Sequence, residues 1–271
     1  MPELPEVETC RRGIEPHLLN QTVSQVIVRN YNMRWPVSDD ITELEGLTIN
    51  SITRRAKYLL LATEKGTLLL HLGMSGTLRV LPKQAAVNKH DHFDLVFAND
   101  KILRLNDPRR FGAVLWLTGD VSQHPLLVKQ GPEPLSADFD GDYLYQKSRN
   151  KTVAIKTFIM NNLIVVGVGN IYANESLFKA GIKPTLAAGK LSKKRCQNLA
   201  DEIKLVLEKA IEQGGTTLKD FTQADGKPGY FAQSLAVYGR KNLPCITCQT
   251  PLKEIKQSGR ATTFCPQCQA R

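Results

Sequence analysis

Apolar residues change their spacing twice along this chain, and each change marks a different kind of element. Val7, Cys10, Ile14 and Leu18 recur every three or four residues, the period of a helix with one buried face. From about Thr22 to Leu117 the period falls to two: Phe93, Leu95 and Phe97 alternate with His92, Asp94 and Val96. Asn99-Asp100 predicts a hairpin turn before Lys101–Leu105, and Glu64-Lys65-Gly66 a second turn between residues 58–63 and 67–72. Many short strands joined by such turns predict a sandwich. Near His124 the regularity stops, and Gly131-Pro132-Glu133-Pro134 with the acidic stretch from Asp138 to Asp142 predicts a linker over 131–150. Beyond it the helical period returns, around residues 154–162, from Ile171 to Ala180 with Gly181 as the stop, and in the stripe Leu199, Ile203, Val206, Leu207, Ala210 and Ile211, which ends at Gly214-Gly215. The expected fold class is α+β, a strand-rich first domain followed by a helical one.

At 271 residues and 42% apolar content the chain is long enough for two globular domains. No apolar run approaches membrane-spanning length, and no basic segment followed by a hydrophobic one opens the chain, so a cytoplasmic protein is the simplest expectation. The formal charge of +10 is unevenly placed. Residues 1–150 carry 18 Lys+Arg against 18 Asp+Glu, whereas residues 151–271 carry 18 against 8. An excess confined to one part of the chain is the footprint expected of a polyanion-binding surface, although a run such as Lys193-Lys194-Arg195 read alone is only a solvated face.

The candidate chemistry begins at Met1-Pro2-Glu3-Leu4-Pro5-Glu6-Val7-Glu8. Removal of Met1 would leave Pro2 as a secondary amine able to attack an electrophilic sugar carbon and hold it as an iminium. An α-amino group is far less protonated at neutral pH than a lysine, and the positive end of a helix starting at Pro5 disfavours its protonation further. The same dipole favours the anionic forms of Glu3 and Glu6. Read without context, the octapeptide is an ordinary acidic helix start.

Cys245-x2-Cys248 and Cys265-x2-Cys268 are separated by sixteen residues, a spacing with which two short turns present four thiolates to one tetrahedral zinc ion. Two disulfides or four free thiols are the alternatives. A segment of about thirty residues buries little core, so metal binding would supply its folding energy. Residues 259–264, between the cysteine pairs, are expected at the tip of a zinc-held hairpin, where Arg260 would fork onto a phosphate. Cys10 and Cys196 stand apart and read as buried small hydrophobes.

Three weaker signals complete the set. Gly167-Val168-Gly169-Asn170 precedes a helix whose free amides suit a phosphate, although two glycines also serve ordinary helix connections. Met74 in His71-Leu72-Gly73-Met74-Ser75-Gly76, and Arg109 with Phe111 in Asp107-Pro108-Arg109-Arg110-Phe111-Gly112, lie on loops flanking strands. Apolar loop residues wedge into base stacks and an arginine bonds an orphaned base, but Met and Phe more often serve as core.

Taken together, the octapeptide, Lys57 in Arg54-Arg55-Ala56-Lys57-Tyr58, the two loops, residues 167–175 and the four cysteines resemble the bacterial formamidopyrimidine-DNA glycosylases, nearly end to end. Leu4 and residues 107–112 favour that branch over the endonuclease VIII branch of the superfamily. The resemblance implies an N-terminal catalytic β-sandwich over 1–130, a linker over 131–150, a helix-two-turn-helix DNA-binding domain over 151–235, and a zinc finger over 236–271 holding one structural zinc ion. It implies excision of oxidised purines, 8-oxoguanine and formamidopyrimidines, from double-stranded DNA, followed by strand cleavage through β,δ-elimination.

By that resemblance Pro2 is the nucleophile at C1′, Glu3 the acid/base that assists opening of the sugar ring, and Glu6 an electrostatic support. Lys57, Asn170 and Arg260 would clamp phosphates around the extruded nucleotide, with Tyr172 adding a contact. Met74, Arg109 and Phe111 would fill the gap in the duplex, His90 and Lys156 join the DNA contacts, and Lys219 belongs to the lesion-binding loop. Asn106 replaces the histidine common before Asp-Pro-Arg-Arg, and Ala261 stands where serine is frequent; neither is a catalytic position. The competing expectations are an oxidised-pyrimidine glycosylase of the same superfamily and a non-catalytic zinc-dependent DNA-binding protein. A monomer without membrane contact is expected.

Overall fold

The computed structural model describes residues 2–216 and 234–270. Its contacts divide them into two units, residues 2–128 with 213–216 and residues 129–212 with 234–270. Among the described residues no helix is long and apolar enough to cross a membrane.

The first unit opens with helix α1, Leu4–Leu18, whose Pro5 lies in the first turn, where its missing N–H is no loss. Val7, Cys10, Ile14 and Leu18 are all buried, so the predicted stripe is the face that packs. Eight strands follow: β1 Val23–Val28, β2 Ser51–Arg55, β3 Tyr58–Ala62, β4 Thr67–His71, β5 Thr77–Pro82, β6 Asp91–Phe97, β7 Lys101–Asn106 and β8 Ala113–Leu117. They form two antiparallel sheets, ordered β1-β6-β7-β5 and β2-β3-β4-β8, and one apolar cluster joins their inner faces to α1. Both expected hairpin turns are present, between β3 and β4 and between β6 and β7.

Strand β6 departs from simple alternation, because every one of its residues is buried. On its polar face Asp94 accepts from Arg104 (2.9 and 2.8 Å) and from Arg29 (2.6 Å), and Arg104 also donates to the Ala86 carbonyl at 2.7 Å. Alternation therefore separates an apolar face from a buried ion network.

The second unit contains α2 Gly141–Ser148, α3 Ile155–Ile159, α4 Asn170–Lys179 and α5 Lys193–Glu212, then the hairpin β9 Lys253–Gln257 and β10 Arg260–Phe264. The span 131–150, expected as a linker, instead carries α2, which packs on α5. Asp140 caps it by accepting from the Tyr143 N–H at 2.7 Å, and at Gly141 any Cβ would meet Gln197, so the acidic, glycine-containing stretch is a helix start. The α5 stripe is buried as predicted, Cys196 with it. Gly181 follows α4 with φ 63°, the left-handed stop its position predicts.

Candidate DNA-repair site and zinc centre

Pro2 is buried directly before α1, and Glu3 is that helix's N-cap. Glu3 and Glu6 form a capping box, in which the Glu3 N–H donates to Glu6 Oε2 at 2.9 Å. Glu6 Oε1 accepts the N–H of Thr216 at 2.9 Å, so one carboxylate joins the helix start to the returning segment 213–216. Gly215, with φ 79°, lets that segment close on Glu6, where a Cβ would lie 3.3 Å from Glu6 Cγ. Both carboxylates are almost wholly buried beside the candidate amine. Sequence reasoning missed the partner role of Thr216, because no local pattern signals a contact across 210 residues.

Lys57 sits in the two-residue turn between β2 and β3, where Ala56 takes φ 54°. Arg54 braces this turn, donating to the Ala56 carbonyl at 2.9 Å and to Glu8 of α1 at 3.0 Å. Burial would raise the Glu8 carboxyl, but hydrogen bonds and charge from Arg11, Arg12 and Arg54 outweigh it and hold it below the ordinary range. The Lys57 turn and the start of α1 are thus held together.

The Met74 and Arg109/Phe111 loops join β4 to β5 and β7 to β8, as expected. Arg109 is exposed and stacks on Phe111, 4.8 Å from its ring centroid, while Met74 and Phe111 are half-buried. The loops touch backbone to backbone. A Cβ on Gly73 would come within 2.4 Å of Phe111 carbonyl carbon, and one on Gly112 within 2.6 Å of the His71 carbonyl. His71 supports the first loop, its Nδ1 accepting the Gly73 N–H at 3.1 Å and its ring lying 4.8 Å from that of Tyr58. Burial, reinforced by the charges of Lys57 and Arg34, pushes the imidazole down to about 4, which keeps Nδ1 an acceptor. His90 is half-buried, and its carbonyl accepts the Asp107 N–H at 3.0 Å.

In the second unit Asn170 is the first residue of α4, after Gly169 at the cap and Gly167 at φ 77°. Two of the expected DNA contacts are buried here. Tyr172 is fully buried, with its ring in the core. Lys156, expected as a DNA contact, is 1% exposed, and its ammonium donates to Asn170 Oδ1 (2.6 Å), the Ala261 carbonyl (2.9 Å) and Thr262 Oγ1 (2.7 Å). An ammonium has three protons, and each has a protein acceptor. Lys219 lies outside the described residues.

Helix α4 also carries the cysteine module. Glu175 accepts the N–H groups of Ala236, Val237 and Tyr238 at 2.8–3.0 Å, and Asn174 accepts the Thr263 N–H at 2.9 Å while donating to the Asn170 carbonyl at 2.6 Å. Sequence reasoning missed both residues. A polar pair inside an apolar helix pattern was the only signal.

The four cysteine sulfurs lie within 4.8 Å of one another, with Cys245–Cys268 at 3.9 Å and Cys248–Cys265 at 3.5 Å. Thiolates about 2.3 Å from a tetrahedral zinc stand roughly 3.8 Å apart, so the donor set fits that ion. The Thr247 and Cys268 N–H groups point at Cys245 and Cys265 sulfurs, as they would to stabilise thiolates. All six cysteines are free, which removes the disulfide alternative. Residues 260–264, expected at the hairpin tip, form strand β10. The tip is Ser258-Gly259, both at positive φ, and Arg260 is the exposed first residue of the strand.

A β-sandwich whose first helix opens on buried carboxylates, with a helical unit carrying a zinc-type four-cysteine hairpin, defines an α+β protein with a structural metal centre. Comparison identifies it more closely. Residues 1–114 match the formamidopyrimidine-DNA glycosylase N-terminal domain, residues 130–222 the formamidopyrimidine-DNA glycosylase H2TH domain, and residues 242–271 the zinc finger found in FPG and IleRS. The chain is 62% identical over 269 residues to formamidopyrimidine-DNA glycosylase of Colwellia psychrerythraea, covering 99% of each, and 58% identical to that of Escherichia coli O6:H1, covering 99% of this chain and all of the relative. Among solved structures it resembles the MutM (Fpg) protein of Thermus thermophilus (TM-score 0.89, 37% identity, 100% of this chain and 99% of that one). It also resembles a Lactococcus lactis FPG mutant in complex with Fapy-dG-containing DNA (TM-score 0.93, 34% identity, full coverage of both). The chain belongs to the formamidopyrimidine-DNA glycosylase family.

Proposed function

We propose that the protein is a bifunctional DNA glycosylase and AP lyase of base excision repair, acting on oxidised purines in double-stranded DNA. The observation that carries this reading is the start of α1, where Pro2 is followed by two buried carboxylates, one of which fixes the backbone of the other. With Met1 removed, the Pro2 nitrogen attacks C1′ and the glycosidic bond breaks, the base leaving with a proton. Glu3 donates a proton to the sugar ring oxygen as the C1′–O4′ bond breaks and an iminium forms. Loss of a C2′ proton expels the 3′ phosphate, a second elimination expels the 5′ phosphate, and hydrolysis frees the amine. Glu6 holds Glu3 and segment 213–216 in register.

Lys57, Asn170 and Arg260 are phosphate contacts, and Met74, Arg109 and Phe111 occupy the space of the extruded nucleotide, offsetting an unstacking cost of a few kcal/mol. Lys156 acts through Asn170 and strand β10. Zinc, bound by Cys245, Cys248, Cys265 and Cys268, supplies the folding energy of the hairpin. Catalysis is assigned to the sandwich over 1–130 and DNA binding to the parts after it. The protein works as a monomer in the nucleoid-containing cytoplasm. Relatives from Lactococcus lactis have been solved with Fapy-dG DNA and with abasic-site DNA, which supports both half-reactions. One has also been solved with oxidised-pyrimidine DNA, which supports oxidised pyrimidines as a further lesion class that the site can bind.

Incision of duplexes carrying 8-oxoguanine, a formamidopyrimidine or thymine glycol tests the reading. Faster cleavage of the two purine lesions is expected. Preference for thymine glycol, or binding without incision, would overturn it.

A further inference from the structure

Asp107 is a fully buried carboxylate to which none of the chemistry above gives a role. Its Oδ2 accepts the Gly112 N–H at 2.8 Å, and its Oδ1 accepts the Arg109 N–H at 3.3 Å, so it caps both ends of the turn that carries Arg109 and Phe111. The third contact reaches the other loop: the Ser75 hydroxyl donates to Asp107 Oδ1 at 3.0 Å, across 32 residues. The Asp107 backbone is held as well, its N–H donating to the His90 carbonyl and its carbonyl lying 3.0 Å from His92 Nε2. An acceptor-only group thus lies at the centre, and glycines occupy both points where the two loop backbones approach.

We propose that Asp107 is a positioning residue which, through Ser75, locks the Met74 loop to the Arg109/Phe111 loop, so that the three side chains enter the duplex as one rigid wedge. The inference rests on the glycosylase reading. A wedge whose parts are locked before binding loses little conformational freedom on insertion and meets the opposite base at a fixed distance. Uncoupled loops would insert more slowly and read that base less sharply.

Ser75→Ala removes the side-chain hydrogen bond between the loops and leaves both caps of the Arg109 turn and the backbone contacts at Gly73 and Gly112, whereas Asp107→Asn turns one acceptor into a donor facing an N–H or a hydroxyl. Two reactions are compared: borohydride trapping on single-stranded abasic DNA, which needs the amine but no wedge, and single-turnover excision from duplexes with each base opposite the lesion. Both variants should trap single-stranded abasic DNA at the wild-type rate. Duplex excision should fall about tenfold, the effect of one hydrogen bond of ordinary net strength, and discrimination among opposite bases should narrow. Ser75→Thr, which keeps the hydroxyl, should restore both. Equal loss on single-stranded and duplex substrates would make Asp107 a general structural residue, and unchanged duplex excision and discrimination would remove the locking role; either overturns the proposal. Failure of the wild-type protein to trap abasic DNA would instead overturn the glycosylase reading.

Discussion

The Glu3 N–H donates to Glu6 Oε2 at 2.9 Å, so the residue after the candidate nucleophile is fixed by a carboxylate one helical turn ahead. Because Glu6 uses its other oxygen on the Thr216 N–H, both of its oxygens must be acceptors. Glu6→Gln places an amide NH2 against one of those two donors, a mismatch of about 1–3 kcal/mol for a buried group. Borohydride trapping should slow about tenfold or more and the melting temperature should fall. An unchanged trapping rate would reduce Glu6 to a helix cap.

Lys156 is a buried cation whose acceptors are Asn170, Ala261 and Thr262. Lys156→Met leaves three acceptors unpaired, at about 1–3 kcal/mol for each group that water cannot reach. Thermal unfolding should show a clear loss of stability, with weaker DNA binding. Arg260→Ala, by contrast, should leave the melting temperature nearly unchanged and lower the salt slope of binding by about one unit, the signature of one lost phosphate contact. Equal stability loss in both variants would contradict this assignment of roles.

Acid stability should fall in two separable windows. His71 is held down near 4 in the folded protein by burial and by Lys57 and Arg34, below its unfolded value of about 6.5. The unfolded chain therefore binds more protons between those values, and stability drops as pH falls through them. For Asp94 burial acts upward, but bonding and charge from Arg104 and Arg29 prevail and lower its value, so its contribution is complete above about 3.9 and is lost below that. Urea midpoints measured from pH 7 to pH 3 should show the upper slope flattened in His71→Phe and the lower one in Asp94→Asn. A wild-type slope in both variants would contradict these assignments.

Chelation of zinc should unfold the cysteine module, because its small cluster around Val237, Leu252 and Cys265 cannot fold unaided. Metal-stripped protein should lose duplex binding and regain it on addition of one equivalent of zinc. Full DNA affinity without metal would refute the structural role.

Local periodicity made the core legible. The α1 stripe, the α5 stripe, both hairpin turns and the four-cysteine spacing are set by residues near one another in sequence, and each is present as read. What escaped was contact at long range. Nothing local tells that Glu6 meets Thr216, that Ser75 meets Asp107, or that Lys156 reaches Thr262. Composition misled at 131–150, where Asp140 and Gly141 read as a linker but begin a helix whose tight seat on Gln197 excludes a side chain. The resemblance suggested a phosphate contact for Tyr172, whose full burial no local pattern of the sequence signals.

The central claim is that Pro2, once it heads the chain, bonds to C1′ of a damaged nucleotide. Borohydride reduction of the protein on 8-oxoguanine duplex, followed by proteolysis and mass spectrometry of the cross-linked peptide, tests it most directly. The expected result is a single adduct on the Pro2 nitrogen of a chain lacking Met1. An adduct on a lysine, or a fully active protein that retains Met1, would contradict it.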